Sequence, residues 1–584
     1  MWPSSRRIVA AAVLLGAALG GAPPATAQPS ADWPQWGRTP QHDGASPVAA
    51  QPLQGILAEI LYDPTAAPMR DEVGELFVHY AVPLVDASGV YMAFKTGQYV
   101  SFGVFDSITW TVRKLRRTDS GFETVWTFVS DWKPEPIELS GWEAVFQPAI
   151  SGHDIYVPGL GGTVFRVDKD TGRSEGRVNP FTSVDPDRYV AGGLAVAPDG
   201  AVVYNVLGID AADPRAADGA WLVRVEPEGG ASRVDFSALV PGAPAPDAPC
   251  QVSFPGDQRP WPPTPAAVAP TIPCGPQRPG INGVPAIAPD GTIYTVSRAH
   301  FADRYSYLVA VHPDLSPAWH ASFRGILNDG CGVRVPIDDT ILGCRTGASL
   351  GVDPAVNDRP AGRVSDLGTS SPVVLPDGAV LIGTAASYNF GRGHLFKFGA
   401  AGDALATYDF GWDVTPAVFR HDGTYSIVLK DNHYLGPPGP AGRYEVTSLD
   451  AGLVPEWSFA SDNTMSCLRL PGGVMDCSND ARNAEGFEWC INQPAVDSAG
   501  RVYGNSEDGG VYSLRRDGSR LQALFLDSAL GAAYTPVAIG PDGVLYTQNF
   551  GRLFAVGAVP IVAAPRGAPA SAPEARPRSR TVER

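Results

Sequence analysis

The chain carries 584 residues, with 44 Lys and Arg against 61 Asp and Glu and a formal net charge of −17. Without Arg6 and Arg7 at the start and the five Arg and two Glu of residues 560–584, the remainder stands near −22, a field that repels phosphate backbones and anionic lipid heads, so nucleic-acid and membrane-surface functions are excluded. Gly and Pro number 65 and 56 while 44% of residues are hydrophobic, the composition of a large core cut by many turns and not of a disordered chain.

Residues 1–27 place Arg6 and Arg7 ahead of the apolar run Ile8 to Leu19 and end on Ala25-Thr26-Ala27, the order of a secretory signal peptide. A secreted or periplasmic protein is expected, with cleavage near Ala27. The apolar run is about 12 residues, too short to cross a hydrocarbon layer of about 30 Å as a helix, and no later stretch reaches about 18 apolar residues, so no membrane span is expected. No cysteine precedes Cys250, which excludes a lipid anchor on an N-terminal cysteine.

Residues 28–54 form an N-terminal lead-in, and from residue 55 to 557 one unit recurs: a short apolar strand, a Gly turn and a second strand. Four copies share the turn Pro198-Asp199-Gly200, Pro289-Asp290-Gly291, Pro376-Asp377-Gly378 and Pro541-Asp542-Gly543. Pro fixes φ at one corner, Asp bonds the following backbone, and Gly accepts positive φ. Looser copies begin at Pro83, Pro148, Pro416 and Pro494. A third strand follows each hairpin, such as Thr163–Val167 or His394–Phe398, and then a fourth, often ending in aromatics such as Trp126, Trp319 and Trp457. Four antiparallel strands per unit predict the blades of an all-β propeller, whose apolar faces are buried only when blades stack in a ring. Eight blades are expected. The hairpin-like run Cys331 to Gly343 leaves seven or nine open. The last unit has three strands before residues 558–584, a Pro, Ala and Arg-rich tail expected to be disordered, so residues 55–62 are predicted to supply the missing strand and close the ring.

Seven cysteines in an exported chain predict local disulfides: Cys250 with Cys274, Cys331 with Cys344, and a third among Cys467, Cys477 and Cys490, with Cys467 and Cys477 the leading pair and one thiol left over. No spacing has the paired form of a zinc site, and no metal is expected.

Asp32-Trp-Pro-Gln-Trp-Gly-Arg38 with Pro40-Gln41-His42 and Gly44, and the unit ending Val164-Phe-Arg-Val-Asp-Lys-Asp-Thr-Gly172, resemble the PQQ-like (quinoprotein alcohol dehydrogenase-like) repeat family over residues 32–557. The resemblance implies the propeller fold. Its dehydrogenases hold their quinone beneath a disulfide of adjacent cysteines, which this chain lacks, and Arg173 to Arg177 stand where the repeat would place a closing Trp. Other proteins of the fold are non-catalytic scaffolds, so the fold alone does not assign a function.

In a blade, the first-to-second and third-to-fourth turns share one face and all other connections share the opposite one. The first set is short throughout, whereas the second contains the long connections near 241–283, 384–393, 431–442 and 460–492, the face on which binding residues are expected. Lys430, Asp431, Asn432, His433 and Tyr434 form its richest polar run, joined by Trp412 and Asp413 and, from the neighbouring blade, by Arg392 and His394. Asp431 and His433 have acid-base chemistry, but adjacent strand residues point to opposite sides, and a hydrogen-bonded loop explains the run equally well. Asp168 to Gly172 lacks the ligand pattern of a calcium loop. The expectation is a monomeric, non-enzymatic binding or scaffold protein that recognises a protein or glycan through this face, with no cofactor and no catalytic set. The alternatives are a PQQ-dependent oxidoreductase using calcium, and a polysaccharide lyase or hydrolase.

Overall fold

The computed structural model describes residues 30–559 except 120, 211, 387, 390, 435–441, 480–482 and 533. The signal peptide expected at 1–27 and almost all of the expected tail lie outside the described residues. Eight antiparallel sheets of four strands each form the ring, the fourth extended by the short extra strand Gln277–Arg278. Blades 1 to 7 span residues 84–129, 149–178, 188–235, 286–322, 373–408, 417–460 and 495–525. Blade 8 takes three strands from 538–557 and its fourth from Gly55–Leu61, which pairs antiparallel with Arg552–Gly557 from Gly55 opposite Gly557 to Leu61 opposite Arg552. Ring closure by an N-terminal strand therefore occurs as the sequence predicts. The run Cys331 to Gly343 contributes isolated bridges and no blade, which leaves eight. No helix among the described residues is long and apolar enough to cross a membrane.

The Pro-Asp-Gly turns work as their chemistry requires. Gly200, Gly291, Gly378 and Gly543 have φ of 88°, 88°, 82° and 78°, and the Asp carboxylates accept from the second following N–H at 2.9–3.1 Å. The aromatics on fourth strands lock neighbouring blades together. A Cβ added to Gly172, Gly402 or Gly518 would lie 2.7 Å from the ring of Trp126, Trp319 or Trp457 respectively, so each indole rests directly on the next blade's third-to-fourth turn. Three disulfides, Cys250–Cys274, Cys331–Cys344 and Cys467–Cys477, brace the long connections and leave Cys490 as a buried thiol.

The lead-in segment has a role its sequence does not announce. It runs around the inside of the ring at the short-turn face and hydrogen-bonds to every blade in chain order. Trp33 pairs with Val85, Pro34 O accepts from Ile150, Gln35 Oε1 from Val196, Pro40 O from Ile287, Gln41 O from Val374, Asp43 O from Val418 and Gly44 O from Val496, and Gln51 N–H donates to Gly543 O. The channel is plugged at that end.

Candidate functional site

At the opposite, long-connection face lies a cavity of about 550 Å³. Its walls come from connections around most of the ring: Glu75 ahead of blade 1, Trp142 between blades 1 and 2, Arg363 and Leu367 between 4 and 5, Trp412 between 5 and 6, Tyr434 and Tyr444 in blade 6, Glu488 between 6 and 7, Glu507 in blade 7, and Leu530 and Tyr534 between 7 and 8.

The strand Thr424–Tyr434 decides how the predicted polar run divides. Side chains alternate across a strand, so Lys430, Asn432 and Tyr434 turn towards the cavity and blade 7. Asp431 and His433 turn towards blade 5. Lys430 is fully buried, with Nζ 3.5 Å from Asp413 Oδ2 and 4.5 Å from the centre of the Tyr534 ring. Asp413 accepts from Thr369 N at 2.6 Å and Thr369 Oγ1 at 2.8 Å. The Trp142 ring packs against the rings of His79, stacked at 5.1 Å, and Tyr534, at 5.0 Å, and these two lie 6.1 Å from each other, so the three rings form one cluster. Asp413, Leu530 and Tyr534 have φ of 46°, 55° and 49°. Such left-handed backbone is costly for residues with a Cβ and concentrates where a site requires it.

The acidic wall of the cavity contains residues that the sequence pattern did not single out. Glu488, Cys490 and Glu507 bring their carboxylate and thiol atoms within 4.8 Å of one another. Glu488 Oε1 accepts from Asn432 Nδ2 at 3.2 Å and from the Tyr434 hydroxyl. Burial and then the Glu488 charge push the Glu507 carboxyl up to about 8, and burial followed by the charges of Glu507 and Glu488 pushes the Cys490 thiol well up. Two carboxyl groups and a thiol gathered in this way are a donor set that could hold a cation. Arg363 stands on the far wall, paired with Asp303 through bonds of 2.9 and 2.6 Å.

The other predicted residues form a separate network in the seam between blades 5 and 6. Asp431 Oδ2 accepts from the Tyr408 hydroxyl at 2.6 Å, and Oδ1 lies 2.7 Å from His433 Nε2. Arg392 donates to His433 Nδ1 at 3.0 Å and pairs with Asp409 at 3.3 Å. His394 is buried against Asp329, with Asp409 at 3.9 Å. Because Nδ1 of His433 accepts from a guanidinium, its proton sits on Nε2 facing Asp431, and the ring offers no lone pair to a metal there. The structure thus places Trp412 and Tyr434 in the cavity lining, with Asp413, Lys430 and Asn432 buried behind its wall, and sets Arg392, His394, Asp431 and His433 apart from it.

No protein-family model matches the chain, and no curated protein matches it in sequence. Solved structures of similar architecture include a europium-containing methanol dehydrogenase, with a TM-score of 0.51 at 12% identity, covering 88% of this chain and 89% of that one. A quinohemoprotein alcohol dehydrogenase from Comamonas testosteroni gives 0.50 at 12% identity, covering 91% and 82%. Another from Pseudomonas putida HK5 gives 0.50 at 13%, covering 92% and 82%. At these identities the likeness establishes the fold. The expectation of a protein without a cofactor is overturned by these comparisons, since the proteins that share its architecture are named for a quinohaem group or for europium. The binding or scaffold reading finds no support among them.

The residues present fit such a group. Trp142 supplies an aromatic ring in the cavity, Arg363 supplies positive charge on its wall with Lys430 buried behind it, and the Glu488, Cys490 and Glu507 set has the chemistry of a cation site. The disulfide of adjacent cysteines is replaced here by no equivalent sulfur pair, because Cys490 is a single thiol.

Proposed function

We propose that the protein is a quinone-dependent oxidoreductase, a dehydrogenase of alcohols that holds pyrroloquinoline quinone and a cation in the cavity at the open end of its channel. One observation carries the reading: an aromatic ring, the Arg363 guanidinium and a donor set able to hold a cation all meet at one cavity of about 550 Å³. A bound quinone would supply the two-electron acceptor that no side chain provides.

The chain's own residues supply the rest. Trp142, held in one cluster with His79 and Tyr534, presents a rigid ring against which a planar group would stack. Arg363 would offset a carboxylate of the cofactor, its pairing with Asp303 fixing its position, while Lys430, buried against Asp413 behind the wall, adds positive field. Glu488, Cys490 and Glu507 hold the cation, with Asn432 and Tyr434 orienting Glu488. Glu75 lines the same cavity and carries no ion pair among the described residues, which makes it the carboxylate available to take a proton from a substrate hydroxyl.

The test is reconstitution of purified protein with pyrroloquinoline quinone and a cation, followed by absorbance and dye-linked alcohol oxidation. Bound quinone with turnover supports the reading. No uptake of the quinone refutes it and returns the cavity to the protein or glycan ligands of a binding protein.

A further inference from the structure

Six of the seven cysteines are joined in disulfides, and the seventh, Cys490, stands in the donor set of the cavity. We infer that Cys490 is a direct ligand of the cation at this site, and that the site takes a thiophilic dication such as Zn²⁺ or Co²⁺ in preference to calcium or a lanthanide. This rests on the cation-binding half of the reading above and is independent of the quinone.

The local fold places the ligands. In the connection between blades 6 and 7, Glu488 O accepts from Glu507 N at 3.0 Å and Cys490 O from Thr535 N at 3.2 Å, so alternate carbonyls bond on one side, as in an extended segment. Residues two apart on an extended segment share a side. Glu488 and Cys490 therefore meet Glu507 from one direction. A tetrahedral dication with bonds of about 2.0–2.3 Å sets its ligand atoms about 3.5 Å apart, and the three atoms already lie within 4.8 Å. An inward movement of about 1 Å completes three corners, and the cavity leaves the fourth open.

The chemistry selects the metal. Calcium collects about 6–8 oxygen ligands, whereas this site offers two carboxylates and a sulfur. The nearby Asn432 amide and Tyr434 hydroxyl are already committed as donors to Glu488. Thiolate favours zinc and its neighbours over hard cations. The donors on Glu488 are the orienting outer partners such a site requires.

The experiment uses the full chain, stripped with chelator and free of quinone, titrated with Co²⁺. Thiolate coordination gives an intense sulfur-to-cobalt charge-transfer band that saturates at one equivalent, is abolished by Zn²⁺ and survives a large excess of Ca²⁺. With every other cysteine in a disulfide, that band in the unaltered protein identifies Cys490 even if Cys490→Ser fails to fold. Where it folds, Cys490→Ser loses the band and binds Zn²⁺ more weakly by about tenfold or more. Glu507→Gln, on the cavity wall, weakens Co²⁺ binding and keeps the band. Cobalt bound without a thiolate band, a band that persists in Cys490→Ser, or displacement of Co²⁺ by equal Ca²⁺ overturns the inference. Failure of the quinone reading looks different: the thiolate band is intact and the zinc-loaded protein takes up no quinone.

Discussion

Glu135 offers a measurement of how the connection beneath Trp142 is held. It lies between blades 1 and 2, ahead of the single helical turn Ile137–Ser140 that leads to Trp142, and is 2% exposed. Its Oε1 has no hydrogen-bond partner. Burial, then the charge of Asp366, raises its carboxyl from 4.5 to about 7. The unfolded chain releases this proton near the ordinary glutamate value while the folded protein keeps it to about 7. Across that window the folded state binds more protons, so stability falls as pH rises. The raised value favours folding fully only below the ordinary glutamate range, and by pH 8 a difference of about 2.5 units has cost up to about 3 kcal/mol. Glu135→Gln copies the protonated shape and cannot ionise. Unfolding entropy of about 2.1 cal/mol/K per residue over roughly 530 residues amounts to about 1.1 kcal/mol/K. The variant should therefore melt close to the parent at pH 5 and about 3 °C above it at pH 8 to 9, by calorimetry in chelator. Parallel melting curves from pH 5 to 9 would refute the assignment of a buried, proton-holding Glu135.

Trp142→Ala should weaken quinone uptake at least about tenfold, equivalent to about 1.4 kcal/mol, with the melting temperature little changed, as read by absorbance titration. His433→Ala leaves the cavity intact, and dye-linked oxidation should stay within about twofold of the parent, since the imidazole serves the seam between blades 5 and 6; a complete loss would place the chemistry in that seam. Gly402→Ala combines a φ of +86° with a Cβ 2.7 Å from the Trp319 ring. It should destabilise by about 2 kcal/mol or more in denaturant titration, and an unchanged midpoint would remove the indole contact as a lock between blades.

The architecture was readable because its punctuation is local. Each Pro-Asp-Gly triplet specifies a turn by the chemistry of three adjacent residues, and four near-identical copies set the period of the ring. The strand Gly55–Leu61 was readable by elimination, as the one piece available to cover an open edge. The cavity was only partly readable. Lys430, Asn432 and Tyr434 lie in one polar run with Asp431 and His433, and only the pleat of the strand separates the two groups. Glu75, Trp142, Arg363, Glu488 and Glu507 come from connections far apart in the chain that share no motif, and only the closed ring brings them together. Cys490 did leave a trace, as the odd cysteine, but nothing in its neighbours told which of three thiols would remain.

The plug sets the order of events in folding. Gln51 bonds to Asp542 across a sequence separation of 491, and the segment before it needs each of the preceding blades for one of its hydrogen bonds, through the Gln35 side chain at blade 3 and through backbone at the others. The stretch made first can be satisfied only after the stretch made last is in place, so its carbonyls stay with water until the ring exists. A permuted chain that begins at residue 84 and carries residues 30–83 after residue 559 would present the finished ring to its keystone, and should fold by fewer and faster phases than the natural order.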